Sequence, residues 1–161
     1  MNRADSHDIH VLNGLIETTL DSADGYREAA GETHNAQYRG LFEQRSFERR
    51  RVASDLQSQV RERGGAPEDD GSILAKAQRA FTDIKHALLG DELTVINSVE
   101  SGEDVLKTRF ERALADSSVS ATTKEAIRRA WDSVKSGHDQ MRDLKRSLEG
   151  QRDASNRLYP H

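Results

Sequence analysis

The sequence predicts an all-α fold: four long amphipathic helices and one shorter linking helix, packed as an antiparallel four-helix bundle. Three observations predict it. Apolar residues recur in steps of three and four over long stretches, the period of a helix with one buried face. Breakers are scarce, with 2 prolines and 11 glycines in 161 residues, and the informative ones fall between the periodic stretches. Hydrophobic residues make up 34% of the chain and charged residues 32%, a balance that thin helices satisfy because each buries one stripe and leaves the rest to water.

The first helix is expected over residues 8–30, on the stripe Ile9, Leu12, Ile16, Thr19, Ala23, Tyr26 and Ala30. Gly31 is its expected stop, and Thr33 or Asn35 the cap of the next helix. That second helix is expected over 36–63. Its stripe of Tyr38, Leu41, Phe42, Val52, Leu56 and Val60 is interrupted by two cations, Arg45 and Arg49. Gly64-Gly65-Ala66-Pro67 ends it. A shorter helix is expected over 72–89, with Ile73, Leu74, Ala77, Phe81, Ile84 and Leu88 on one side. The fourth segment, 92–115, places Glu103 on a stripe with Ile96, Val99, Leu106 and Phe110. The last helix, 121–148, carries Ile127, Trp131, Val134, His138, Met141, Lys145 and Leu148 on its stripe. Residues 1–150 read as a single bundle domain, and the polar stretch 151–161 as a flexible tail.

Short connections make antiparallel hairpins of the first two and the last two long helices. Residues 65–90 separate the hairpins, and a helix within them would be roughly 25 Å long, enough to carry the chain from one end of a bundle to the other. Two hairpins joined by such a helical crossover is the ferritin-like connectivity.

Several function classes are set aside by composition. The net charge is −4, and the densest basic run, Arg49-Arg50-Arg51, is flanked by Glu48 and Asp55 inside a helix. No nucleic-acid footprint is expected from it. With no cysteine there is no disulfide, thiolate metal site or cysteine nucleophile. No apolar run reaches the roughly 20 residues that span a bilayer, so no membrane role is expected. The polar N-terminus lacks the apolar core of a signal peptide, which makes the expectation a cytoplasmic protein. Serines lack a nucleophile setting, and Gly64-Gly65 lacks the Lys-Ser/Thr of a phosphate loop.

The residues also carry a resemblance. Leu12-Asn13-Gly14-Leu15-Ile16-Glu17, Asp21 and Gly25-Tyr26-Arg27 open a series that continues through Arg45, Leu56-Gln57, Gly64-Gly65-Ala66-Pro67 and Gly71-Ser72. Glu100-Ser101-Gly102-Glu103-Asp104 and His138-Asp139-Gln140-Met141-Arg142-Asp143-Leu144 complete it. This order resembles an uncharacterised bacterial four-helix-bundle family, grouped as a domain of unknown function with a ferritin-like fold, over residues 9–147. The resemblance implies that fold and no established activity.

A ferritin-like fold raises the question of a metal site. A di-iron centre needs a Glu from each of two helices and a Glu-x-x-His pair from each of the others. No Glu-x-x-His occurs in this chain. Glu17 falls with His10, Asn13, Asp21, Asp24 and Glu28 on a polar face expected to be solvated. Glu103 lies mid-stripe, as do Arg45 and Arg49, all roughly 16 to 23 Å below the same end of the bundle at 1.5 Å per residue. A buried carboxylate needs a partner, so Glu103 is expected to pair with Arg45, Arg49 or both, in a structural ion pair that occupies the space a metal would fill. His138 reads as a hydrogen-bonded core histidine that could reach Glu100. If a remnant divalent-metal site exists, Glu100, Glu103 and His138 are its candidate ligands. Phe47, opposite the second helix's stripe, is expected to pack beneath the crossover helix, the alternative being exposure for association.

These readings lead to a non-catalytic bundle with no cofactor and no catalytic residue, acting through association as a homo-oligomer or with another protein. The rivals are a ferritin-like iron, manganese or zinc protein with a degenerate site, and a small-molecule binder between helices.

Overall fold

In the computed structural model, residues 3–71 and 92–158 are described. Among them the chain forms four helices and no strand: α1 (Arg3–Glu32), α2 (Ala36–Glu62), α3 (Glu92–Ala115) and α4 (Ala121–Leu158). The expected linking helix at 72–89 lies outside the described residues. No helix among those described is long and apolar enough to cross a membrane.

Local chemistry sets the boundaries. Asn35, in extended backbone, accepts from the amides of Gln37 and Tyr38 at 2.9 and 3.1 Å and so caps α2. At the other end Gly64 takes φ of 80°, where a side chain would be strained. There the amide of Gly65 returns to the carbonyl of Val60 and that of Gly64 to Arg61, a Schellman closure of the orphan carbonyls. Gly31 does not stop α1, which runs to Glu32. The last helix departs most from expectation. It continues through Gly150 to Leu158, so that 151–158 are helical rather than a loose tail, with every residue exposed. Gly150 costs a helix only about 1 kcal/mol relative to alanine, so a single glycine does not by itself end one.

Each helix buries the face its stripe predicts, and the neighbours in contact are α1 with α2, α3 with α4, α1 with α3 and α2 with α4. The core divides into two apolar clusters. One is built on Leu12, Ile16, Leu56, Leu106, Phe110, Ile127 and Val134, with Trp131 stacked on Phe110 at 5.9 Å between ring centroids. The other is built on Tyr26, Phe42, Ile96, Val99 and Met141. Between them Ser46, Arg49, Glu103 and His138 are all buried and polar.

Polar contacts fix which ends meet. Asp8 near the start of α1 meets Ser120 and Thr123 at the start of α4, and His7 meets Asp116 just past α3. At the other end Thr33 and the amide of His34 both donate to Glu92, the first residue of α3, at 2.5 and 2.6 Å. After α2 the chain turns along α1: Asn13 donates to the carbonyl of Ala66 and accepts from the amide of Glu68. Part of the α1 face expected to be solvated therefore carries the segment that comes after α2.

Candidate functional site

The polar layer is centred on one ion pair. Arg49 on α2 directs Nη2 to both carboxylate oxygens of Glu103 on α3, at 3.1 and 3.0 Å, and both side chains have 0% exposure. Ser22 of α1 donates to the same carboxylate at 3.2 Å. The guanidinium also reaches backbone carbonyls of α4, Val134 at 3.2 Å and Ser133 at 3.5 Å. All four helices thus contribute to one buried charge cluster. Neighbouring hydroxyls are satisfied locally: Ser46 donates to the carbonyl of Ala23 and Thr19 to that of Leu15.

Gly137 makes this arrangement sterically feasible. A Cβ at that position would stand 2.2 Å from Arg49 Nη2. The missing side chain opens the wall of α4, and the guanidinium enters far enough to touch helix carbonyls. Sequence reasoning misses this residue, because a glycine on a helix stripe shows its role only once the arginine of another helix is known.

Tyr26 closes the layer. Its ring lies 5.9 Å from the Arg49 guanidinium carbon, within cation–π range. Burial, and then the nearby Glu103 carboxylate, push the Tyr26 phenol well above its ordinary pKa. Its hydroxyl and Arg49 Nε are buried without a hydrogen-bond partner among the described residues.

The other candidates go elsewhere. Arg45 donates to Gln140 at 2.8 and 2.6 Å and pairs with Glu48 at 2.6 Å, so Glu103 is held by Arg49 alone of the two arginines. Glu100 lies 2.9 Å from Lys145, and this contact raises the lysine's pKa. His138 places Nε2 2.8 Å from Asp104 and Nδ1 3.4 Å from Asp139. The expected Glu100–His138 contact is therefore corrected by one turn, to Asp104–His138. Partners fall along α4 as they rise along α3, and side chains lean toward the N-terminus of their own helix. Contacting residues then sit further along each helix than their Cα heights suggest. The expected triad of Glu100, Glu103 and His138 is likewise not brought together, because each member is engaged by a different side chain. Among the described residues no three His, Asp or Glu stand close enough to hold a metal ion.

A second polar centre, at the bundle end, has no counterpart among the sequence expectations. Asp8 is buried and accepts from the amide and hydroxyl of Ser120 at 3.1 and 2.5 Å and from the Thr123 hydroxyl at 2.8 Å. Arg63, the C-cap of α2, donates to Thr123 at 2.7 Å. Burial alone would raise the Asp8 pKa, but these hydrogen bonds and the Arg63 charge hold it below the ordinary carboxylate value. The outer surface shows two further features. Phe47 is 65% exposed, and the linking helix expected to cover it lies outside the described residues. A groove of about 590 Å³ runs between α2 and α4, floored by Val52, Leu56, Ala126 and Ala130 and rimmed by charges of both signs.

A sequence model of the family described as domain of unknown function (DUF2383) matches residues 7–116, more than half of the chain, and the chain belongs to that family. The match runs from the start of α1 to just past α3, so Gly137 and His138 lie beyond it. No curated protein matches the sequence.

Proposed function

We propose that this member of the DUF2383 family is a non-catalytic, ferritin-like antiparallel bundle that acts through association, with a second copy of itself or with another protein. The observation that carries the reading is the Arg49–Glu103 pair. It fills the middle of the four helices with two side chains of 0% exposure. The end-to-end contacts of α1 with α3 and α4 support the ferritin-like path.

A ferritin-like metal centre fits these residues poorly. A divalent cation needs carboxylates and imidazoles free to converge on it. Here Glu103 is neutralised by a guanidinium and Glu100 by an ammonium, while His138 is turned to Asp104. Two fixed cations beside the candidate ligands repel a third.

The test is elemental analysis of purified protein together with light scattering across concentration. Substoichiometric metal, with a mass that rises with concentration or on adding a partner, supports the reading. Stoichiometric iron, manganese or zinc that disappears in Glu103→Ala and His138→Ala variants overturns it.

A further inference from the structure

The outward face of α2 carries a short palindrome of chemistry. Gly40 and Ser54 lie seven residues either side of Phe47, and Glu43 and Arg51 four either side. All five are exposed. Steps of three and four residues set them in one strip along the helix, the spacing of a two-helix seam.

Consider a second α2 laid antiparallel across this strip, with a two-fold axis through Phe47. An isologous contact places each residue against its mirror position. Glu43 then faces Arg51 of the second copy, and Arg51 faces its Glu43, so the strip makes two opposite-charge pairs. Gly40 faces Ser54, letting the backbones approach at both ends, and the two Phe47 rings meet at the centre. A parallel arrangement would instead set like charges against each other. The charge pattern selects both the partner and its direction.

Two observations within the chain agree. Among the described residues neither Glu43 nor Arg51 has an ion-pair partner, whereas the adjacent Arg50 is held by Asp24 and Arg45 by Glu48. Glycine weakens a helix interior, yet a Cβ at Gly40 would meet nothing within 4 Å. Gly14, Gly25, Gly31, Gly102 and Gly150 share that open space, so Gly40 leaves room for another helix without by itself requiring one.

We propose that the outer face of α2 is the seam of an antiparallel two-fold homodimer centred on Phe47. The inference rests on the association reading above and names its surface and partner. A single helix strip buries less than the roughly 1,200–2,000 Å² of a standard stable interface, so the dimer is weak and concentration-dependent.

Sedimentation velocity over a dilution series of the full chain tests it. Phe47→Glu raises the dimer dissociation constant by about 30-fold or more, the effect of losing a central aromatic anchor. Phe47→Ser does so with no added charge, and circular dichroism melts show that both variants fold. Glu43→Arg and Arg51→Glu each weaken the dimer, and the double variant restores it. Because the chain has no cysteine, Phe47→Cys can form a disulfide only with its mate. It cross-links on mild oxidation, while Ser117→Cys at the α3–α4 turn does not. A wild-type dimer that tolerates Phe47→Glu, or a charge-swapped pair that stays monomeric, overturns this surface and leaves association intact. Wild type that is monomeric at every concentration overturns the inference and leaves only association with a different protein.

Discussion

Glu103→Gln keeps the volume and one acceptor oxygen of the native side chain but removes its charge. Arg49 would remain where it is, with 0% exposure and no other anion bonded to its guanidinium among the described residues. The carbonyls of Val134 and Ser133 can still accept, yet a dipole does not neutralise a charge taken out of water. Breaking a buried pair from one side costs about 3–5 kcal/mol. In a chain of this size each kcal/mol moves the melting temperature by about 2–4 °C, so the fall should be about 6–20 °C. Arg49→Met should cost a similar amount by stranding the carboxylate. The double variant Arg49→Met/Glu103→Leu removes both charges, and should lose far less than the two single losses added together. Thermal and urea unfolding, followed by circular dichroism at neutral pH, measure wild type, Arg49→Met, Glu103→Leu and the double variant as the four corners of the cycle, with Glu103→Gln alongside. If Glu103→Gln loses less than about 1 kcal/mol, or the losses simply add, the pair is not the isolated buried unit described here.

Other perturbations test the same geometry. Gly137→Ala should destabilise although alanine favours helix by about 1 kcal/mol, because its Cβ would displace Arg49; Gly102→Ala, which meets nothing within 4 Å, should gain that preference. Comparing the two melts checks this. Asp8 titrates below its unfolded value of 3.8, so its stabilisation is fully present above that pH and is lost as pH falls through the lower folded value. The melting temperatures of wild type and Asp8→Asn should therefore differ by a constant amount near neutrality and converge in acid. A gap that widens on acidification would reverse the sign of the argument.

How much of this is legible in sequence depends on whether a residue's role lies on its own helix. Glu103 and Arg49 stand out because a charge in a three–four apolar repeat must be buried. Which arginine meets the carboxylate does not, since Arg45 and Arg49 are one turn apart and Gln140, on another helix, engages the first. Asp8 reads in sequence as part of a polar lead-in, because its partners Ser120 and Thr123 lie more than a hundred residues away. His138 is recognisable as a core residue, but counting Cα heights alone sets it a turn from its partner. Phe47 is marked by its place opposite the α2 stripe, which leaves it either beneath the linking helix or open for association, and that helix lies outside the described residues.

The ion pair's position between two apolar clusters argues for a role in alignment. Sliding α2 along α1 and α4 by one helical turn would still oppose apolar residues over most of those contacts, since the stripes repeat every three or four positions. It would not preserve the charge layer: Arg49 would face an apolar neighbour and Glu103 would lose its guanidinium. The buried-pair penalty of about 3–5 kcal/mol then separates registers that hydrophobic burial alone leaves nearly equal. Burial drives the helices together, and the charged layer selects how they align. On this view the Arg49→Met/Glu103→Leu variant keeps its helix content and much of its stability but samples more than one packing. Its amide proton–nitrogen spectrum should show broadened or doubled peaks for α2 and α3, where wild type shows one sharp set. A double variant with a single sharp spectrum and an unchanged cluster of Phe42, Ile96 and Val99 would assign register to shape alone.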